Sequence, residues 1–170
     1  MTGTDPLSLA QCLGYVAFVL GVSAFLQRDD RRLKLLNSAQ GLVYAVHFFM
    51  LGALALSGSA AVCALRSGTA AFIRRPWLAL PFTLLNLAVG WWVAESWIDW
   101  LPVAGFVIGT LSVFLLRGVP LRLGMFSSSA VVMVAAMISG SIGGVALEAS
   151  IAAANLVTIF RLRRARQVAA

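Results

Sequence analysis

A chain of 170 residues that is 61% hydrophobic and 11% charged, with a net charge of +7, cannot be an ordinary soluble domain, because such domains carry roughly 25% charged residues. Thirteen Lys and Arg with six Asp and Glu are too few to coat a globule in water. The composition specifies an all-α polytopic protein of the lipid bilayer, one membrane domain over residues 1–170, and the basic residues sit in short clusters between apolar runs, which argues against a nucleic-acid partner.

A crossing of about 20 mostly apolar residues fits the chain seven times. The first span, about 9–27, has no Lys or Arg before it. It ends in Arg28-Asp29-Asp30-Arg31-Arg32 rather than a small-residue cleavage site, so it is expected to be a retained helix and not a signal peptide. The second, about 34–51, carries Asn37, Gln40 and His47, and the third, about 53–73, joins it near Gly52 and carries Arg66. The fourth, about 77–95, ends among Trp91, Trp92, Trp97 and Trp100, as an interfacial aromatic belt would. The fifth (about 101–117), sixth (about 122–138) and seventh (about 145–162) complete the set, with Glu148 and Asn155 in the last. Cys12 and Cys63 both lie in apolar stretches and read as small buried side chains, so neither a metal site nor a cofactor is expected.

Seven spans sort the charges. Arg28, Arg31, Arg32, Lys34, Arg74, Arg75, Arg117, Arg122, Arg161, Arg163, Arg164 and Arg166 then share one side, while the other holds Asp5, Glu95 and Asp99 and no basic residue. The positive-inside rule places that basic side in the cytoplasm, with the N-terminus outside and the C-terminus inside.

The first and last three spans also look alike. Gly14-Tyr15-Val16-Ala17 aligns with Gly105-Phe106-Val107-Ile108, and Met50-Leu51-Gly52-Ala53-Leu54 with Ile138-Ser139-Gly140-Ser141-Ile142. Phe72 and its arginines match Phe160 and its cluster. The expected plan is two parallel three-helix repeats, about 9–73 and 101–163, joined by a linker helix at about 77–95. This 3+1+3 order is also that of the SWEET sugar carriers and PnuC vitamin carriers, a likeness of architecture alone, and such folds place a solute between the halves near the midplane.

Particular residues carry a family resemblance that spans about Gly14 to Arg163. They are Arg28, Asp29, Arg31, Arg32, Lys34 and Leu35; His47-Phe48-Phe49 and Leu51-Gly52-Ala53; Ser59-Ala60, Ala64 and Arg66. In the second half they are Pro102, Gly109-Thr110, Gly140-Ser141-Ile142-Gly143-Gly144, Glu148, Asn155 and Arg161. In these the sequence resembles the YgjV family of small bacterial inner-membrane proteins. The resemblance implies a cytoplasmic-membrane location in a bacterium and no particular activity.

An ionisable group in lipid costs about 2.5–3.5 kcal/mol or more and so marks a candidate site. Arg66 is the one basic residue outside the basic loops, Glu148 the one acidic residue within a span, and His47 the sole histidine. At 1.5 Å per residue, His47 and Glu148 fall at similar heights in the outer half, and Arg66, Gln40 and Asn155 in the inner half. Arg66, Glu148, His47, Gln40 and Asn155 are therefore the candidate solute-binding set. The plainer reading of Asn37, Gln40, Asn86 and His47 is interhelical hydrogen bonding, and Arg66 and Glu148 could snorkel to an interface.

The function expected is a small-solute carrier, taking a polar or anionic solute between the halves, with the bilayer and a second copy of the chain as partners. The alternative is a non-transporting scaffold that serves a partner protein. An enzyme is not expected: Leu56-Ser57-Gly58-Ser59 does not make an intramembrane serine protease motif, the lone Lys34 is misplaced for retinal, and one histidine is too few for a b-type haem.

Overall fold

The computed structural model describes residues 5–25, 30–73, 75–116 and 118–168, and these are all-helical. The chain reads α1 (Leu9–Phe25), α2 (Asp30–Met50), α3 (Leu54–Phe72), α4 (Ala79–Val93), α5 (Trp100–Leu115), α6 (Gly118–Ile138) and α7 (Ile142–Val168), with single 3₁₀ turns at Pro76–Leu78 and Trp97–Asp99. Proline punctuates it where a missing N–H does no harm. Pro76 opens a 3₁₀ turn, and Pro81, Pro102 and Pro120 each lie in the first turn of a helix.

Each apolar run becomes one helix, but the ends extend beyond the apolar residues. α2 starts at Asp30 rather than 34, and α7 runs on to Val168 rather than stopping near 162. Arg, Leu, Ala and Gln are strong helix formers, so the basic clusters continue the helices they flank. Among the described residues, Pro76–Val93, Trp97–Leu115, Val119–Ile138 and Ile142–Phe160 are long and apolar enough to cross a membrane, and Leu9–Ala24 is a shorter apolar helix. Arg66 in α3 and the charged start of α2 dilute the apolar character of the other two. The large side chains that face outward are Leu, Val, Phe and Trp, with Trp91 and Trp92 at 82% and 89% exposure. Lipid, not water, suits such a surface.

Consecutive helices pack as hairpins: α1 on α2, α2 on α3, α5 on α6 and α6 on α7. The two groups of three meet along α1–α7 and α3–α5, and α4 lies against α3 and α5. Two turns need glycine. Gly52 (φ 75°) and Gly140 (φ 70°) end α2 and α6 in the left-handed region, where a Cβ is unfavourable. Each is followed by an N–H reaching back into the helix, Ala53 to the Phe48 carbonyl at 2.9 Å and Ser141 to the Ala136 carbonyl at 3.0 Å. The α1–α7 crossing is closer still, since a Cβ on Gly143 would stand 2.5 Å from the Gly14 carbonyl oxygen.

Charge divides the ends of the bundle. At one, Lys34 Nζ donates to the Ala70 carbonyl (2.8 Å) and the Arg31 guanidinium lies 4.6 Å from the centre of the Phe72 ring. At the other, Ser96 and Asp99 form a capping box over the Trp97–Asp99 turn. An apolar core of Tyr44, Phe48, Leu56, Val132, Ala135 and Leu147 fills the interior between them.

Candidate functional site

Two polar clusters lie inside the bundle. The first joins α1, α2 and the α6–α7 turn. Gln11 donates from Nε2 to the Gly140 carbonyl (2.7 Å) and accepts the Ile142 N–H at 3.2 Å. His47, wholly buried, places Nδ1 2.6 Å from the Ala10 carbonyl and Nε2 2.6 Å from Ser141 Oγ. A carbonyl can only accept, so a neutral His47 carries its proton on Nδ1 and accepts the Ser141 hydroxyl at Nε2. Ser141 Oγ in turn accepts the Gly144 N–H at 2.9 Å. Both ring nitrogens, the hydroxyl and the amide are engaged, and no capacity is left for a solute.

The second cluster is a cavity of about 70 Å³ bounded by α2, α3, α5, α6 and α7, lined by Gln40, Tyr44, Arg66, Ser129 and Glu148 among others. Each enters by helical spacing. Asn37, Gln40 and Tyr44 recur at intervals of three and four along α2, as do Cys63 and Arg66 on α3, so each set shares a face. Arg66 is 7% exposed. Its Nη1 donates to Thr110 Oγ1 (2.9 Å) and its Nη2 to Cys63 Sγ (3.1 Å), both neutral. Gly109 packs against Ser128, where a Cβ would stand 2.7 Å from Oγ and, in ordinary contact with the guanidinium, 3.8 Å from Nη1.

Glu148, also 7% exposed, lines the same cavity beside the Ser129 hydroxyl and makes no ion pair with Arg66. The Tyr44 hydroxyl is buried without a hydrogen-bond partner. Three other buried polar atoms among the described residues share that condition, on Ser59, Thr83 and Asn86, and none of those residues lines the cavity. A second cavity of about 130 Å³, lined by Ala24, Lys34, Ser67, Ala70 and Val113, shares Asn37, Arg66 and Met125 with the first. Lys34 places it on the side of the basic end. On the opposite side, the apolar core separates Arg66 and Glu148 from a cleft of about 210 Å³ at the acidic end, around Gly52, Asp99 and Ser139.

Gln40, Arg66 and Glu148 thus share one cavity, on helices from both ends of the chain. His47 belongs to the other cluster. Asn155, although buried, does not line the cavity: its Nδ2 donates to the Ile151 carbonyl (2.9 Å) and its Oδ1 accepts from Arg122 Nη1 at 3.4 Å. Asn37 donates to Ser67 Oγ (2.8 Å) and Asn86 to the Val103 carbonyl (3.0 Å), as helix-packing amides do. Sequence reasoning missed Tyr44, Thr110 and Ser129. The polar run Ser127-Ser128-Ser129 inside an apolar span and the position of Tyr44 four residues after Gln40 were the available signals. Among the described residues, no three His, Cys, Asp or Glu side chains gather as a metal site.

Comparison with known proteins gives a consistent result. The family model Imp-YgjV, described as bacterial inner membrane protein, matches residues 8–166. Among curated proteins, inner membrane protein YgjV of Escherichia coli (strain K12) is 33% identical over 156 residues, which covers 92% of this chain and 85% of that protein. No solved structure matches the chain.

Proposed function

The chain belongs to the Imp-YgjV family of bacterial inner membrane proteins, and from that premise we propose that it is a small-solute carrier of the cytoplasmic membrane. The solute is polar or anionic and sits in the cavity between the first three and last three helices. Arg66 carries this reading. Its charge is permanent, it is buried, and its hydrogen bonds go to Thr110 and Cys63, so no carboxylate pairs with it directly. Such a group is costly in a merely structural role and useful for holding an anion. A neighbouring cavity that shares Arg66 and is lined by Lys34 of the basic end, with the apolar core on the other side, fits a carrier open to one face at a time.

The accompanying plan is seven crossings with a cytoplasmic C-terminus, arranged as two parallel repeats around α4. Matched pairings support it: α1–α2 with α5–α6, α2–α3 with α6–α7, α1–α7 with α5–α3, and the Gly52 turn with the Gly140 turn. A C-terminal reporter should read the cytoplasm and one at Asp99 the periplasm; a periplasmic C-terminus ends the plan.

The function is tested by thermal shift of the detergent-purified protein against sugars, vitamins, organic acids and small inorganic anions. A bound solute at a hundred times its Kd adds about 2.7 kcal/mol to the folded state, and Arg66→Ala should abolish the shift while leaving the protein folded. A solute that stabilises wild type and Arg66→Ala alike would overturn the site.

A further inference from the structure

The carrier reading leaves Glu148 unexplained, because an anion site gains nothing from a second negative group. Charge counting supplies a role. Arg66 and Glu148 are the charged residues lining the central cavity, so with both ionised the empty site sums to zero. A bound monoanion takes the sum to minus one. A reorienting membrane protein must carry that sum through a low-dielectric interior, where an uncompensated charge is expensive. One proton on the Glu148 carboxylate restores neutrality. Accordingly, we infer that Glu148 is the proton-carrying residue of the site and that the protein moves a small monoanion together with one proton.

The surroundings of Glu148 fit this role. From α2 it is faced by Tyr44, from α3 by Cys63 and Arg66, from α5 by Phe106 and Gly109, and from α6 by Ser129 and Met125. α1, which also packs on α7, carries no charged residue. The nearby titratable His47 is engaged by the Ala10 carbonyl and Ser141, and Arg122 of α6 lies toward the basic end with Asn155. No cation stands within ion-pair reach of Glu148 among the described residues, so no direct ion pair holds its carboxylate ionised. The Tyr44 hydroxyl, buried and unpartnered beside it, is placed to hold water or the solute.

Size selects the partner. About 70 Å³ holds a few waters or an anion of a few atoms, far below the 300 Å³ or more of ordinary metabolite pockets. The proton comes from water on the side to which the cavity opens and returns to water on the other. Only an O–H bond forms and breaks.

The inference rests on the carrier reading, and one experiment separates them. The protein is reconstituted in liposomes holding the pH dye pyranine, and gradients of chloride, nitrate or glycine are imposed with and without a valinomycin–potassium clamp. Chloride and nitrate do not leak as undissociated acids, and glycine is a small zwitterion that needs no proton. Wild type should show inward chloride or nitrate flux with matching acidification and no dependence on the clamp. Glu148→Gln should keep the anion flux, now dependent on the clamp, and lose at least tenfold of the acidification. Glu148→Asp should retain acidification at a lower rate. If Glu148→Gln acidifies like wild type, or if wild-type anion flux needs the clamp, the proton role falls and the carrier stands. Glycine flux without anion flux has the same meaning. If none of the three solutes moves, the monoanion–proton inference falls, and the thermal-shift screen decides the carrier reading. Should neither variant survive size-exclusion chromatography as a folded protein, the clamp dependence of wild type decides alone.

Discussion

The two polar clusters adjoin on α2, where Tyr44 of one stacks 6.1 Å from the ring of His47 of the other, yet they are built on opposite terms. Around His47 the donors and acceptors match, so the imidazole, Gln11, Ser141 and four main-chain groups form a closed set. Around Arg66 they do not match: a permanent cation, a carboxyl group and a free phenol share a small cavity, and the strongest donor is bonded to a threonine and a thiol. Rarity in an apolar span is common to both and distinguishes nothing. What distinguishes them is whether the neighbours exhaust each group's hydrogen bonding and charge. A closed set contributes cohesion between helices, whereas an open set is maintained at a cost to stability and marks function.

Breaking the closed set should therefore damage the fold, and breaking the open set should damage binding alone. The largest stability loss is expected at Gly143→Val, which drives a branched side chain into the main chain of α1. Overpacking typically costs 1–3 kcal/mol, and backbone has less room to yield than side chains. Melting in detergent should drop below that of every other variant named here, and a near-wild-type midpoint would show that α1 and α7 can part freely.

His47→Ala comes next. It removes the side-chain partner of the Ala10 carbonyl, leaves the Ser141 hydroxyl proton without its acceptor and opens a void, a loss of about 1–3 kcal/mol. Any solute that shifts wild type should still shift this variant by a similar increment. Loss of the increment with melting unchanged would reverse the roles of the two clusters.

Arg66→Ala should hold or slightly raise the melting point, since it removes a buried charge that forms no ion pair, while solute-induced stabilisation vanishes. Arg66→Lys should keep part of that stabilisation, the charge remaining and the planar fork being lost. Tyr44→Phe sharpens the contrast with the smallest effect. Its hydroxyl has no partner to lose, so stability should stay within about 0.5 kcal/mol, with solute affinity weaker by several-fold in titration calorimetry. An unchanged affinity would remove Tyr44 from the site.

Much of the helical scheme could be read from apolar run lengths, because the bilayer imposes a ruler that the chain cannot evade. Gly52 and Gly140 announced their turns, since few other residues accept a positive φ. The overruns of α2 and α7 were not legible, because charge marks the edge of a membrane and not the end of a helix. Within the site, depth along each helix correctly gathered Arg66 and Gln40. It did not separate His47 from Glu148, which sit at similar heights by residue count yet face different neighbours. Rotation about the helix axis is set by packing, and a single sequence states it weakly when the polar residues are few. Asn155 erred in the same way: it has the expected depth, but its amide turns to Arg122 and to its own helix.

The contact between Gly14 and Gly143 has a consequence for variation. A Cβ on Gly143 would meet the Gly14 main chain, and one on Gly14 would lie 2.8 Å from the His47 ring. Any single-base change that replaces either glycine installs a side chain or a stop, and none yields a smaller residue. At this crossing, mutation has no gentle neighbour to explore: the two glycines can be retained or the junction rebuilt around their loss, whereas the loosely filled cavity beyond Tyr44 can drift by single exchanges toward a different solute.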